Sequence, residues 1–527
     1  MRYTAVLLLA IFSAACAVGP NYRRPSVPVP ETFRAPRNES KCAPSNPCEP
    51  TSSAGREGGV DPTDGSRAPQ PSAAPQAESL ADVQWFEVFK DAKLQDLIRT
   101  ALERNYDLRA AVANVEAARA NLGVTRSNQY PNASAGGEIQ FTRLSRDGTF
   151  ALPDTFVSSQ NRNWGQAGFN LLSFEADIWG RLRRATEAAR ANLLSAEENR
   201  KAVITTLVAD VASNYFTLRE LDYELEISRH TLDTRLESLR LIQSRQGGGV
   251  ATLLDLRQGE QLVYAAAETI PTLQQQTEQT ENQISLLLAE IPSGIERGSG
   301  LTEQELPPEV PPGLPSALLE RRPDIRAAEQ TLIAANANIG VAKAAYYPQI
   351  SLSGFLGGQS TQLATLFNGP HSAWSFVPQV TQPIFTAGRL KSGVRLAEAQ
   401  RQGALVQYEK TIQTAFTEVS NSLIAHQRSR ESRAQQEALV TALRDRTRLA
   451  YVRYQGGVDT LLNALDADRD LFQAEFQLSQ TRLSELLSVV QLYKALGGGW
   501  QCAPESAEAS ASAAASANAL CQSALVH

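Results

Sequence analysis

RYQGGVDTLLNALDADRD (residues 453–470) sets two glycines and a burst of aspartates between two long helix-forming stretches. A similar string, RQGGGVATLLDLRQGE (245–260), with three consecutive glycines and a single aspartate, occurs earlier in the chain. Gly248-Gly249-Val250 and Thr252-Leu253-Leu254 match Gly456-Gly457-Val458 and Thr460-Leu461-Leu462 at one constant offset. Glycine tolerates left-handed backbone, so a glycine pair after a long helical run reads as a helix end followed by a sharp reversal. Two such reversals in register point to a duplicated helical hairpin.

The duplication extends outward. DLRAAVANVEAARANLGVTRSNQYP (107–131) aligns without a gap to DIRAAEQTLIAANANIGVAKAAYYP (324–348), and Gly-Arg-Leu recurs at 180–182 and 388–390. The first copy is nine residues longer between Tyr-Pro and Gly-Arg-Leu. The chain therefore reads as a signal peptide (1–15), an N-terminal segment with a flexible linker (16–79), two copies (80–306 and 307–500) and a low-complexity tail (501–527). Each copy runs helix, two strands, long helix, turn, helix.

Residues 181–246 hold neither Pro nor Gly, and 389–455 hold no Pro. A helix of roughly 67 residues would reach about 100 Å, far beyond what a globule needs. Leu405, Tyr408, Ile412, Ala415 and Val419 recur at alternating spacings of three and four, a coiled-coil seam. Ile204, Leu207, Val211 and Leu218 obey the same rule. The flanking helices, 103–130 and 250–289 with a kink at Pro271, are together nearly as long as the long one. Two short helices stacked against one long helix is the economical packing.

The segments between helices change period. Ala133, Ala135, Gly137, Ile139 and Phe141 alternate with polar or small residues, and Ile350 and Leu352 alternate with Ser351 and Ser353. The return strands, 162–177 and 373–385, carry Trp164, Phe169, Trp374, Phe376 and Phe385 with imperfect alternation. They suit either solvent-exposed hairpins or a membrane barrel. Four strands cannot close a barrel alone, and open edges cannot sit in lipid. A membrane reading therefore requires several chains to share one barrel.

The N-terminus joins Arg2, the apolar run AVLLLAIF and SAAC, the order of an export signal. Cleavage before Cys16 with acylation of its thiol gives a lipoprotein. Ser13 stands where a lipobox usually has Leu, and SAA also suits ordinary cleavage, which would leave Cys16 free. No Asp follows the cysteine, so outer-membrane sorting is the default. After residue 16 no apolar run is long enough for a membrane-spanning helix. In an oxidising compartment Cys42, Cys48, Cys502 and Cys521 are disulfide candidates, with Cys42–Cys48 and Cys502–Cys521 the nearest pairs. A formal charge of −6 across 527 residues gives no reason to expect a nucleic-acid partner.

CAVGPNYRRP (16–25), ERRPDIRAAE (320–329), RYQGGVDTLLNALDAD (453–468) and VQLYKALGGGW (490–500) together resemble the TolC-type outer-membrane efflux factors, in their lipid-anchored NodT-like branch. The resemblance covers about residues 16–500. It implies a mainly α fold with a membrane β part, in which a trimeric α-helical barrel continues into a shared 12-stranded β-barrel with four strands per protomer. It makes the two glycine turns the periplasmic tips of the tunnel. Thr252 and Asp459-Thr460 then stand where the next helices begin, as N-caps.

By the same resemblance Leu462 and Asp466 form the periplasmic constriction, with Arg469 a link holding it shut. Three copies of Asp466 would make an acidic ring favouring cations, and Asn463 stands where some relatives have a second Asp. For Asp468 and Asp470 a plain solvated helix face serves equally well. The adaptor-contact tips are Gly248, Gly249, Val250, Ala251, Thr252, Leu253, Gly456, Gly457, Val458, Asp459, Thr460 and Leu461. The implied partners are two further copies of the chain, a periplasmic adaptor, an inner-membrane pump of the RND type and outer-membrane lipid. The sequence offers no phosphate-binding loop. Nor does it offer a catalytic constellation, a cofactor motif or a metal set, since His230, His371, His426 and His527 are scattered singly. An exit duct for protein secretion is the same fold with another client, and a pore-free coiled-coil lipoprotein is the alternative of another class.

Overall fold

A computed structural model describes residues 17–30, 32–34, 85–143, 161–304 and 315–498, with backbone only at 162. Cys16, the linker beyond Arg34, the four disulfide candidates and the tail lie outside the described residues. In chain order the elements are α1 (Trp85–Val88), α2 (Ala92–Arg104), α3 (Tyr106–Ser127), β1 (Ala133–Arg143), β2 (Asn161–Glu175), α4 (Arg181–Gly247) and α5 (Leu253–Leu287). Next come α6 (Pro315–Arg321), α7 (Pro323–Ala344), β3 (Gln349–Ser360), β4 (Ser372–Thr381), α8 (Arg389–Gln455) and α9 (Leu461–Ala495). The long helices α4 and α8 are each 67 residues, and the helices after the turns are each 35. Among the described residues no helix is long and apolar enough to cross a membrane.

Two expected helices are shorter than the sequence pattern, for local reasons. Asn105 ends α2, and its side-chain oxygen accepts from the amides of Asp107 and Leu108, so α3 begins afresh. α5 waits for the Thr252 cap and ends before Ala289, whose φ is +57°. α5 runs through Pro271 as one helix.

The chain divides into two compact units, each drawing on both copies. The first (Met1–Val27, Ala110–Arg200, Pro323–Ile412) contains one antiparallel sheet in the order β1-β2-β3-β4. Pairing is in register along β1–β2, from Ala133 opposite Leu171 to Arg143 opposite Asn161. Between Leu171 and Phe174 a bulge inserts one residue into β2. The bulge explains the broken alternation there, since Phe174 returns to the face of Leu171. β4 stops at Thr381, four residues short of expectation, because Pro383 has no amide to donate to the ladder. Phe385 therefore lies beyond the strand.

The register collects Ile139, Phe141, Phe169, Leu356, Trp374, Phe376 and Val380 on one face, all exposed. The opposite face carries Glu138, Gln140, Gln166, Asn170, Ser351, Ser353 and Gln379. Among the described residues β1 and β4 have no strand neighbour beyond them. In the same unit Ala188 and Ala191 of α4 pack against Ala334 and Ala337 of α7. Residues 17–24 run over this pair. The Val18 amide donates to the Trp179 carbonyl, Asn336 to the Pro20 carbonyl, and Arg184 to Asn21. A Cβ on Gly19 (φ +109°) would lie 2.5 Å from the Gly340 Cα, so two glycines permit the crossing.

The second unit (Pro28–Arg109, Lys201–Arg322, Gln413–His527) holds both hairpin turns. Ile204, Leu207, Val211 and Leu218 of the α4 seam are buried, as are Ala415 and Val419 along α8; Tyr408 and Ile412, buried on the same helix, belong to the first unit. Asp91 caps α2 through the amides of Lys93 and Leu94 and accepts the Tyr215 hydroxyl at 2.8 Å. Phe89 packs edge-on against Phe216 and Tyr493.

Candidate functional site

Both hairpin tips are the same turn. At the first, the Gly249 amide donates to the Gln246 carbonyl and the Val250 amide to the Arg245 carbonyl; at the second, Gly457 donates to Tyr454 and Val458 to Arg453. This is the Schellman pattern, and it requires left-handed backbone at one residue. Gly249 and Gly457 take that position with φ +76° and +75°.

Beyond the turn the two tips diverge. Thr252 caps α5 in a capping box: its hydroxyl accepts the Asp255 amide, and the Asp255 carboxylate accepts the Thr252 amide. Thr460 occupies the matching position and makes no side-chain cap bond. Asn463 replaces the capping carboxylate, and Asp459 takes over the role. Its carboxylate accepts from the Thr460 amide, the Asn463 side chain and the Arg453 guanidinium. The Asn463 bond first, and then the Arg453 bond, hold the Asp459 carboxyl below the usual range.

Beneath the turns Ile242, Tyr454, Leu461, Ala464 and Leu465 form one apolar cluster. Arg245 stacks over the Tyr454 ring, 4.6 Å from its centre, and so ties one hairpin to the other. Of the expected tip residues, Gly248, Val250, Thr252, Leu253, Gly456, Val458 and Thr460 are exposed, and Ala251 and Asp459 are half-buried. Leu461 is 5% exposed and turns into the cluster.

Leu462 is exposed and Asp466 half-buried, on the first turns of α9. Arg469 pairs with Asp466 at 3.2 Å and with Asp470 at 3.3 Å, both on its own helix. Asp470 is also held by Arg446 of α8 at 2.8 Å, which lowers its pKa.

Asp468 is not on a solvated face. Its carboxylate accepts the Arg235 Nε at 2.7 Å, with the two side chains 8% and 3% exposed. Arg235 also donates to the Leu262 carbonyl of α5, and its guanidinium lies over Phe472, 4.9 Å from the ring centre. This lock joins α4, α5 and α9. Nearby Tyr451 has its hydroxyl pKa raised, by burial first and then by the Asp468 charge. The sequence reading missed the lock, although a signal was present: Arg235 stands one heptad before Ile242, a cation in an apolar seam.

His426 lies 3.1 Å from the Ser488 hydroxyl. Among the described residues no three His, Cys, Asp or Glu side chains gather as metal ligands.

The outer membrane efflux protein family profile matches residues 97–290 and 314–498. The solvent efflux pump outer membrane protein SrpC of Pseudomonas putida is 40% identical over 415 residues, 79% of this chain and 87% of that protein. Outer membrane protein OprJ of Pseudomonas aeruginosa is 34% identical over 94% of this chain and 95% of its own length. Among solved structures, the open state of the Neisseria gonorrhoeae MtrE outer membrane channel superposes with a TM-score of 0.76 at 31% identity, covering 92% of this chain and 98% of that one. The fold is that of the trimeric outer-membrane channels, a helical barrel with a β part to which each protomer gives the four strands described above. The chain belongs to the outer membrane efflux protein family.

Proposed function

We propose that this protein is the exit duct of a tripartite efflux system, passing small toxic compounds outward from an inner-membrane pump of the RND type. The observation that carries this reading is the sheet of the first unit, with one exposed apolar face and, among the described residues, two unpaired edges. Such a sheet is satisfied in lipid only when neighbouring subunits pair with β1 and β4. The chain acts as a homotrimer and as a passive conduit, with no catalytic step of its own. The two copies, 80–306 and 307–500, each contribute one hairpin of the barrel and one of the tunnel. Cys16 carries a lipid, and the bonds of residues 17–24 to α4 and α7 support an anchored segment that stays docked.

The tips are the docking surface for a periplasmic adaptor. Exposed Val250, Leu253, Leu254 and Val458 at the turns support this, because isolated apolar tips have no packing role within the chain. Leu462, Asp466 and Arg469 form the constriction, with Arg469 holding Asp466 in place. Relatives named for toluene, solvent and antibiotic efflux suggest apolar solvents and drugs as cargo.

Deleting the gene in its own host and measuring inhibitory concentrations of solvents and hydrophobic antibiotics tests the function. Susceptibility should rise several-fold and return to normal with the wild-type gene. Unchanged susceptibility across the panel would refute the efflux role. Asp466→Ala should raise single-channel conductance and weaken cation preference, and an identical channel would remove Asp466 from the constriction.

A further inference from the structure

Glu220 and Glu224 sit one helical turn apart on α4, each 5% exposed, and both line a cleft of about 490 Å³. The remaining walls are the hydroxyls of Thr217 and Thr280, the Leu221 side chain, and the amides of Gln276, Gln279 and Gln283 of α5 and Gln480 of α9. No cationic side chain lines the cleft. A buried carboxylate normally has an ion-pair or metal partner, because an isolated one is strongly disfavoured. Here the Oε1 atom of Glu224 meets no hydrogen-bond partner in the protein.

We propose that this cleft is a binding site for a divalent cation of the calcium class, held by Glu220 and Glu224. The donor set consists of carboxylate, amide and hydroxyl oxygens, which is what a hard cation takes. Two carboxylates neutralise a divalent charge. Side-chain amides from α5 and α9 give an irregular shell, which suits calcium better than the strict octahedron of magnesium. The cleft is large enough for the cation to keep part of its water.

Burial first, and then the hydrogen bond and charge of Glu220, raise the Glu224 pKa, with Gln480 acting in the opposite direction. Burial likewise raises Glu220. Among the described residues that line the cleft, Glu220 and Glu224 are the only titratable groups, and the lining residues of α5 and α9 are uncharged.

Calorimetric titration of the intact, chelator-treated trimer with calcium chloride tests this. The expected result is one site per protomer and weaker heat with magnesium chloride. Glu224→Gln should weaken calcium binding at least roughly tenfold, given that even outer-shell changes cost about that much. The variant keeps the side-chain shape and removes a buried charge, so in chelator its thermal midpoint should match or exceed wild type. Calcium should raise the midpoint of wild type alone. No calcium heat with wild type, unaltered binding in the folded Glu224→Gln trimer, or magnesium binding more tightly than calcium would each overturn the proposal.

Discussion

At the first hairpin tip Leu253 is 59% exposed, whereas at the second the matching Leu461 is 5% exposed. The turn itself is shared by both, down to its two Schellman hydrogen bonds and the left-handed glycine. Duplication thus preserved what backbone geometry requires and let the side chains diverge. The first tip leaves Val250, Leu253 and Leu254 facing outward, with a self-contained capping box behind them. The second puts its leucine into the core and ties its cap to Arg453. The first tip leaves its leucine exposed, and the second packs it into the cluster beneath the turn.

The largest expected effect comes from Asp468, whose counterpart in the first copy is Glu260. Asp468→Ala leaves Arg235 charged, buried and without its carboxylate, which should destabilise by ~3–5 kcal/mol in denaturant unfolding. Glu260 only pairs with Arg257 along its own helix, so Glu260→Ala should be indistinguishable from wild type. Equal effects would erase the distinction between a held tip and a free one. Leu461→Ala should cost about 2–3 kcal/mol by opening the cluster under the turn, while Leu253→Ala leaves stability unchanged and weakens adaptor binding.

Gly249→Ala and Gly457→Ala should instead match each other. Each forces a Cβ into left-handed backbone, at ~1–2 kcal/mol, and neither Cβ would meet another atom. Amide exchange at the two turns reads the loss, and unequal losses would mean that the turns are not equivalent. The smallest effects separate the caps. Thr252→Ala should speed exchange in the first turn of α5 by an amount equivalent to about 1 kcal/mol. Thr460→Ala should do little, because that hydroxyl caps nothing. The lowered pKa of Asp459 means its stabilisation is present at neutral pH and is lost only as pH falls through that depressed value, below the usual aspartate range. The second tip should therefore loosen in acid in a way that Asp459→Asn abolishes.

Much of this was legible in the sequence, because it followed from periodicity. The 67-residue helices, the seams through Ile412 and Val211, and the turns at Gly249 and Gly457 all rest on local rules. The features that escaped depend on partners distant in sequence. The broken alternation of β2 makes sense only once the bulge against β3 is known. Asp468 reads as one more surface acid until Arg235, more than two hundred residues earlier, is placed beside it. Thr460 resembles Thr252, yet the change from Asp255 to Asn463 moves the cap to Asp459.

Among the described residues the outer edges of β1 and β4 have no strand partner, and the proposed duct depends most on these two edges. The mass of the native assembly in mild detergent tests this directly. The predicted result is three chains in one particle, and a stable particle containing a single chain would contradict it.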